Sequence, residues 1–279
     1  MSQLSHAPDV LDETRPEQRL GIRARMLLGL EQLFPVLETA PAITGDESAF
    51  EYRKAAGSYQ RHVDEVGGLD GKTILDFGCG WGGETVWLGE RAKAAMGCDI
   101  NKSALRDAND FARQMGAGNV KFAESGVNGL PYEDETFDAI FSTNVFEHVM
   151  QPAAMLSEIR RVLKPGGRFV SQFGPLFYSP LGYHLCWATQ VPWAHLLFGF
   201  EAVIQVRNTK REPWWPKDWK ETGLNKMRFK GFESAVSEAG LGVVRCDRIA
   251  VKGLKRLAKL PLIGDLLTFG IDCHLVRED

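Results

Sequence analysis

Cysteine is sparse in this 279-residue chain: five residues, at 79, 98, 186, 246 and 273, with no C-x-x-C pair among them. An odd count without paired spacing argues against a disulfide framework or a zinc knuckle and suits a reducing compartment, so the cytoplasm is the expected location. His184, Cys186 and His195 fit no standard ligand spacing, and no metal is expected. A cationic excess is missing too. Lys and Arg number 33 against 36 Asp and Glu, for a net charge of −3. Proteins that grip nucleic acid phosphates ordinarily carry a basic surplus, so nucleic acid is not an expected partner. No stretch reaches the ~18 apolar residues of a membrane span. The longest candidate, 191–204, is broken by His195 and Glu201. The opening MSQLSHAPDVLDE has neither the basic nor the apolar region of a signal peptide. Internal repeats and low-complexity tracts are absent.

What remains is ordinary globular composition, 44% hydrophobic and 25% charged. The division expected is an N-terminal helical lid at 1–68 and a main domain at 69–279. Residues 1–20 are polar and read as frayed. Residues 21–38 read as an amphipathic helix suited to a lid or a homodimer contact, and 47–66 as a second helix carrying Tyr52, Tyr59 and His62. A long alternation follows. Strands are expected at 73–77, 94–99, 120–123, 137–143 and 167–172, and helices at 82–92, 103–115 and 152–163. Such alternation means a parallel sheet with helices on both faces. After Phe173 the pattern breaks, then resumes with a helix at 229–239 and strands near 242–249 and 270–276. The interruption, 174–229, is an insertion in the α/β domain. Ten aromatics lie between Phe177 and Trp219, including five of the seven tryptophans.

The run ILDFGCGWGGET (74–85) joins the first strand to its helix. Glycine there lets a ligand approach the backbone, and the helix start offers free N–H groups. Gly78, Gly80 and Gly83 satisfy G-x-G-x-x-G, a dinucleotide fingerprint, while Gly78, Gly80 and Gly82 satisfy G-x-G-x-G. Asp76 would repel a pyrophosphate but suits a cationic amino group. Asp99 ends the second strand, where a carboxylate can accept both hydroxyls of a ribose.

With GCDIN (97–101), LPYEDETFDAIFSTNVFEHV (130–149) and RRVLKPGGRFV (160–170), this loop resembles the class I S-adenosylmethionine-dependent methyltransferases over about residues 70–180. The resemblance implies a Rossmann-like, doubly wound, mostly parallel seven-stranded sheet, with the aromatic-rich cap inserted after the fifth strand. It implies S-adenosylmethionine as cofactor. Asp76 with the backbone of Gly78, Cys79, Gly80 and Gly82 would hold its amino acid end. Asp99 would take the ribose, with Ile100 and Asn101 beside it and Ile100 on the adenine. Gly126 and Val127 would meet the adenine edge, and Asn144 would floor the methionyl group. Where many relatives carry an aspartate, this chain has Gly126, with Glu124 nearby, so adenine contact falls to backbone N–H groups or Glu124.

Ligand crevices in such folds lie at the carboxyl ends of the strands. That selects Glu147 and His148 after the fourth strand, and His184 and His195 in the insertion, as candidate proton-transfer residues. Tyr178, Tyr183, Trp187 and Trp193 are candidate substrate contacts, and an aromatic cap suits a small apolar or ring-bearing acceptor. Methylation of oxygen is favoured over carbon. A sugar or lipid-linked glycan is the alternative acceptor, and a nicotinamide-dependent oxidoreductase the alternative activity. NVFE stands where amino-methylating relatives place N/D-P-P-Y/F, which disfavours nucleic acid methylation. The basic stretch 207–230 reads as a solvated face. Residues 252–267 combine four cations with leucines, but their place before the last strand predicts ordinary packing over membrane contact.

Overall fold

The computed structural model describes residues 20–34, 46–127 and 129–279. The frayed stretch at 1–20 therefore falls outside them save for Leu20. The first helix, α1 (Ile22–Glu31), stops short of 38, and 35–45 also lie outside the described residues. The second, α2 (Glu47–Glu65), starts where the Asp46 carboxylate accepts the Ala49 N–H at 3.0 Å.

The alternating region folds as β1 (Thr73–Phe77), α3 (Gly83–Gly89), β2 (Ala94–Asp99), α4 (Lys102–Gln114), β3 (Val120–Glu124), β4 (Phe137–Thr143), α5 (Pro152–Val162) and β5 (Leu163–Phe173). The insertion contributes α6 (Ala194–Leu197) and α7 (Phe200–Asn208), followed by α8 (Phe229–Glu238), β6 (Gly242–Ala250), α9 (Gly264–Leu267) and β7 (Thr268–Val276). Local chemistry explains the boundaries. Asn101 caps α4, its Oδ1 accepting from Ser103 and Ala104 N–H, and Ala104, Leu105, Ala108, Phe111 and Ala112 give that helix its buried stripe. Pro152 opens α5 at a position where no N–H is needed. Among the strands the largest departure from expectation is β5, which begins at Leu163 rather than 167. Leu163 pairs with Phe137, a register shift absorbs Lys164–Gly167, and Arg168 resumes opposite Ala139.

Seven strands form one sheet in the order β3-β2-β1-β4-β5-β7-β6, with β7 antiparallel to both neighbours. Period-two alternation splits β1 between two faces. Leu75 and Phe77 join the core under α5 and α8, where Phe146, Phe173 and Phe232 meet with centroids 5.1–5.9 Å apart. Ile74 faces the other core with Tyr59, Val86, Trp87 and Phe141, under α2 and α3. A third core lies in the insertion, where Phe177, Tyr183, Val203, Val206 and Trp219 enclose Ala24 and Leu27 of α1.

The α2 helix is fixed at both ends. Asp272 of β7 accepts from Arg245 and from Arg61, beside buried His62, and this clustered cation charge holds its carboxyl well below the ordinary range against the cost of burial. At the other end α2 lies directly on the start of α3. A Cβ on Gly83 would stand 2.0 Å from the Ser48 carbonyl oxygen, a backbone atom that cannot turn aside. Gly83→Ala is therefore expected to destabilise the fold by about 3 kcal/mol, the upper range for overpacking, as read by urea denaturation. Among the described residues no helix is long and apolar enough to cross a membrane.

Candidate active site at the carboxyl edge of the sheet

The strand order reverses between β1 and β4, and in open α/β sheets such a switch point opens a ligand crevice at the carboxyl edge. The glycine loop rises there. Gly78 and Cys79 both donate their N–H to the Cys98 carbonyl, at 2.8 and 3.0 Å, which stitches the loop to β2. Cys79 is itself buried, and burial pushes its thiol pKa up, so only its backbone serves the loop.

Asp99 sits where the ribose carboxylate was expected. Its Oδ2 accepts the Gly80 N–H at 3.0 Å and its Oδ1 the Asn101 N–H at 2.8 Å, which fixes its orientation. Beside it Ile100 is 48% exposed, so about half of an apolar residue is left open to the crevice edge. Asn101 departs from expectation, since its side chain is committed to capping α4. In the loop after β3, Ser125 donates its N–H to the Asp99 carbonyl and Gly126 to that of Gly129, while Val127 is exposed. The Glu124 carboxylate pairs with Lys102 at 3.0 Å.

Asp76 also departs from expectation. It is 1% exposed, accepting the Tyr59 hydroxyl at 3.0 Å and the Thr85 hydroxyl at 2.6 Å. It supports the loop from beneath and offers no face to a ligand. Burial, then the neighbouring Glu84 charge, raises its pKa to about 7.

The residue that sequence reasoning missed is Glu51 of α2. Its Oε2 accepts the Gly83 N–H at 3.1 Å and its Oε1 the Trp81 N–H at 3.4 Å, so its carboxylate lies on the amides that open α3. Burial, then the Glu84 charge, raises its pKa to about 8. The groups that shift Glu51 and Asp76 are carboxylates and hydrogen-bond donors, with no described Lys or Arg among them. Lys54, acting on Glu84, is the one cation that bears on this carboxylate cluster among the described residues, so a ligand carrying a positive charge would be favoured there. No local spacing marks Glu51. It reaches the loop across some 30 residues of chain only because α2 docks on Gly83.

The end of β4 forms the opposite wall. Asn144 adopts a left-handed φ of 56°, and the Val145 side chain closes on Gly78 so tightly that a Cβ there would lie 2.2 Å from it. Next comes the 3-10 turn Phe146–His148. His148 Nδ1 donates to the Gly223 carbonyl at 2.7 Å, which leaves the Nε2 lone pair free, and burial lowers its pKa. Its ring meets His184 edge to face, with centroids 5.1 Å apart. His184 Nε2 donates to the Pro175 carbonyl at 2.7 Å, and burial lowers its pKa to about 4. Glu147 is buried beneath. Its Oε1 accepts the Gly174 N–H at 3.3 Å, its Oε2 has no partner, and burial raises its pKa to about 8.

The structure brings Glu147, His148 and His184 together but not His195. That ring is enclosed by Phe177, Tyr183 and Trp219, its Nε2 donating to the Phe177 carbonyl at 2.5 Å, and it belongs to the core of the insertion. Tyr183 is equally interior, its hydroxyl donating to the Thr189 and Val191 carbonyls, and it presents no surface to an acceptor. Trp193 is partly buried and donates to the Leu266 carbonyl at 3.2 Å. Tyr178 and Trp187 keep partly exposed rings, under Arg228 and Arg211 respectively, each at 4.0 Å.

Residues 75–171 match a family described as a methyltransferase domain. A ubiquinone biosynthesis O-methyltransferase of Alkalilimnicola ehrlichii is 35% identical over 119 residues, 42% of this chain and 47% of that one. A ubiquinone/menaquinone biosynthesis C-methyltransferase of Escherichia fergusonii is 34% identical over 125 residues, 43% of this chain and 49% of that one. The chain thus matches about half the length of these curated relatives. Among solved structures, a geranyl diphosphate methyltransferase in complex with S-adenosylmethionine aligns at a TM-score of 0.55 and 16% identity, covering 85% of this chain and 93% of that one.

Proposed function

We propose that this chain is a class I S-adenosylmethionine-dependent methyltransferase that methylates a small acceptor at an oxygen, beneath its aromatic-rich cap. The observation that carries the reading is the pairing of a fixed ribose-type carboxylate, Asp99, with a cation-poor carboxylate on the glycine loop, Glu51. Asp99 would hold the ribose hydroxyls, Ile100 would cover the adenine, and Glu51 would meet the ammonium of the amino acid end. A dinucleotide fits worse, because Glu51 stands on the amides that a pyrophosphate needs.

The cofactor supplies an electrophilic methyl on a sulfonium. The chain's own residues then have three tasks: to orient, to exclude water and to move a proton. His148 suits the third. The Gly223 carbonyl holds the Nδ1 proton, so the neutral ring presents Nε2 to the proton of an acceptor hydroxyl. Phe177, Tyr178 and Trp187 give the cap the apolar character that a ring-bearing acceptor needs. A glycan acceptor has less support, since Arg207, Arg211 and Arg228 are engaged within the protein by Asn208, Trp187 and Asp265. The five free cysteines suit a reducing compartment, and we take it to be the cytoplasm.

The test uses S-adenosylmethionine with a heavy methyl group, incubated with the protein and fractionated metabolites. Label on a hydroxyl of one small-molecule peak is the expected result, while label on carbon overturns the choice of oxygen. With that acceptor, His148→Ala is expected to lower kcat by about 10²–10⁴-fold with cofactor affinity unchanged. The rate should rise with pH through the lowered histidine value and level off above it. An unchanged kcat removes His148 from the reaction.

A further inference from the structure

We propose that the connection between β6 and β7, residues 251–263, docks the protein on an anionic lipid surface. Ordinary packing was expected here, yet only Ala258 of these residues is buried. Leu262 is 95% exposed, and Leu257, Leu260 and Ile263 between 37% and 46%. Single exposed leucines are common, but four within seven residues form a patch. Lys252, Lys255, Arg256 and Lys259 surround it, all exposed and none paired with a described carboxylate. No acid occurs in 251–263, and the next one, Asp265, is engaged by Arg228 and Arg248.

The shape favours a bilayer over a protein groove. A side chain as exposed as Leu262 protrudes without walls on either side. Apolar tips can sink to the headgroup–acyl boundary while the surrounding lysines meet lipid phosphates. The position fits as well. Since β7 is antiparallel to β5 and to β6, the connection hangs from the same carboxyl edge as the glycine loop and His148. The residues that follow it are tied to the insertion: Trp193 donates to the Leu266 carbonyl of α9, and Leu176 donates its N–H to the Phe269 carbonyl of β7 at 2.7 Å. Docking there turns the site toward the membrane plane. The docking itself does not depend on the reaction assigned above.

The test is co-sedimentation of the full chain with vesicles of phosphatidylcholine, alone or mixed with phosphatidylglycerol. The protein should sediment with the mixed vesicles only and be released by high salt. Each basic residue near an anionic surface is worth about fivefold in binding, so Lys255→Glu with Lys259→Glu should weaken it by at least about 25-fold. Leu262→Asp should weaken it comparably. Unchanged thermal unfolding of both variants serves as the folding control. The proposal is overturned if mixed vesicles fail to sediment the protein or if the variants bind as the wild type does. It is equally overturned if light scattering shows a dimer that Leu262→Asp converts to monomer, which would assign the patch to a second copy.

Discussion

Asp99→Ala is expected to abolish the rise in melting temperature that S-adenosylhomocysteine gives the wild-type protein. A hydrogen bond to a charged acceptor contributes about 1.5–3 kcal/mol, so losing two from the ribose raises Kd by at least about 100-fold. Ligand at about 100 times its original Kd stabilises by roughly 2.7 kcal/mol, and nearly all of that disappears when Kd climbs to meet the ligand concentration. Asp99 also accepts from Gly80 and Asn101 backbone N–H groups, so the variant should lose some intrinsic stability. Differential scanning fluorimetry with and without ligand separates the two effects. A variant that melts earlier yet keeps the full ligand shift would deny Asp99 its place on the ribose.

Cofactor binding should tighten as pH rises, and Glu51→Gln should flatten that dependence. In the free protein the Glu51 pKa is raised to about 8 and that of Asp76 to about 7, chiefly by burial. Both therefore hold protons well above the ordinary carboxylate range. A raised carboxyl favours the protonated fold, so its stabilising contribution is complete below about pH 4 and is lost as pH climbs through the raised value. The free protein should accordingly lose stability between about pH 5 and 8. A ligand that brings an ammonium favours the ionised carboxylate, so binding expels a proton and affinity gains up to about tenfold per pH unit within that window. Glu51→Gln has no proton to expel. It should bind more weakly at pH 8 and melt with less dependence on pH when unliganded. Calorimetry in buffers of different ionisation enthalpy reads the released proton directly. Proton uptake instead of release would place the ligand's cation elsewhere.

The sheet was readable because each strand is a short apolar run set between helices with clear stripes and caps, as in β4 and α4. The position of Asp99 at the carboxyl edge was readable for a related reason: it ends a strand, and the strand end fixes where its side chain stands. Asp76 shows where such reasoning stops. Its place before the glycines suggested a ligand contact, yet alternation along β1 puts it on the face with Ile74, under α2, where Tyr59 and Thr85 claim it. Glu51 was invisible for the opposite reason, since only the docking of a distant helix carries it to the loop. The insertion has no period to read. Its histidines look alike in sequence, and only the rings they meet separate His184, against His148, from His195, against Phe177 in the core of the insertion.

The third core has a consequence for exchanging parts between relatives. Ala24 and Leu27 of α1 are buried among Phe177, Tyr183, Val203 and Trp219, although some 150 residues of chain separate the two groups. The N-terminal helix and the insertion are thus one inheritable unit written in two places, and a graft of 174–229 alone would arrive with an open seam. A chimera that exchanges the insertion therefore needs two replaced segments, α1 and 174–229, with the strands and helices between them left intact.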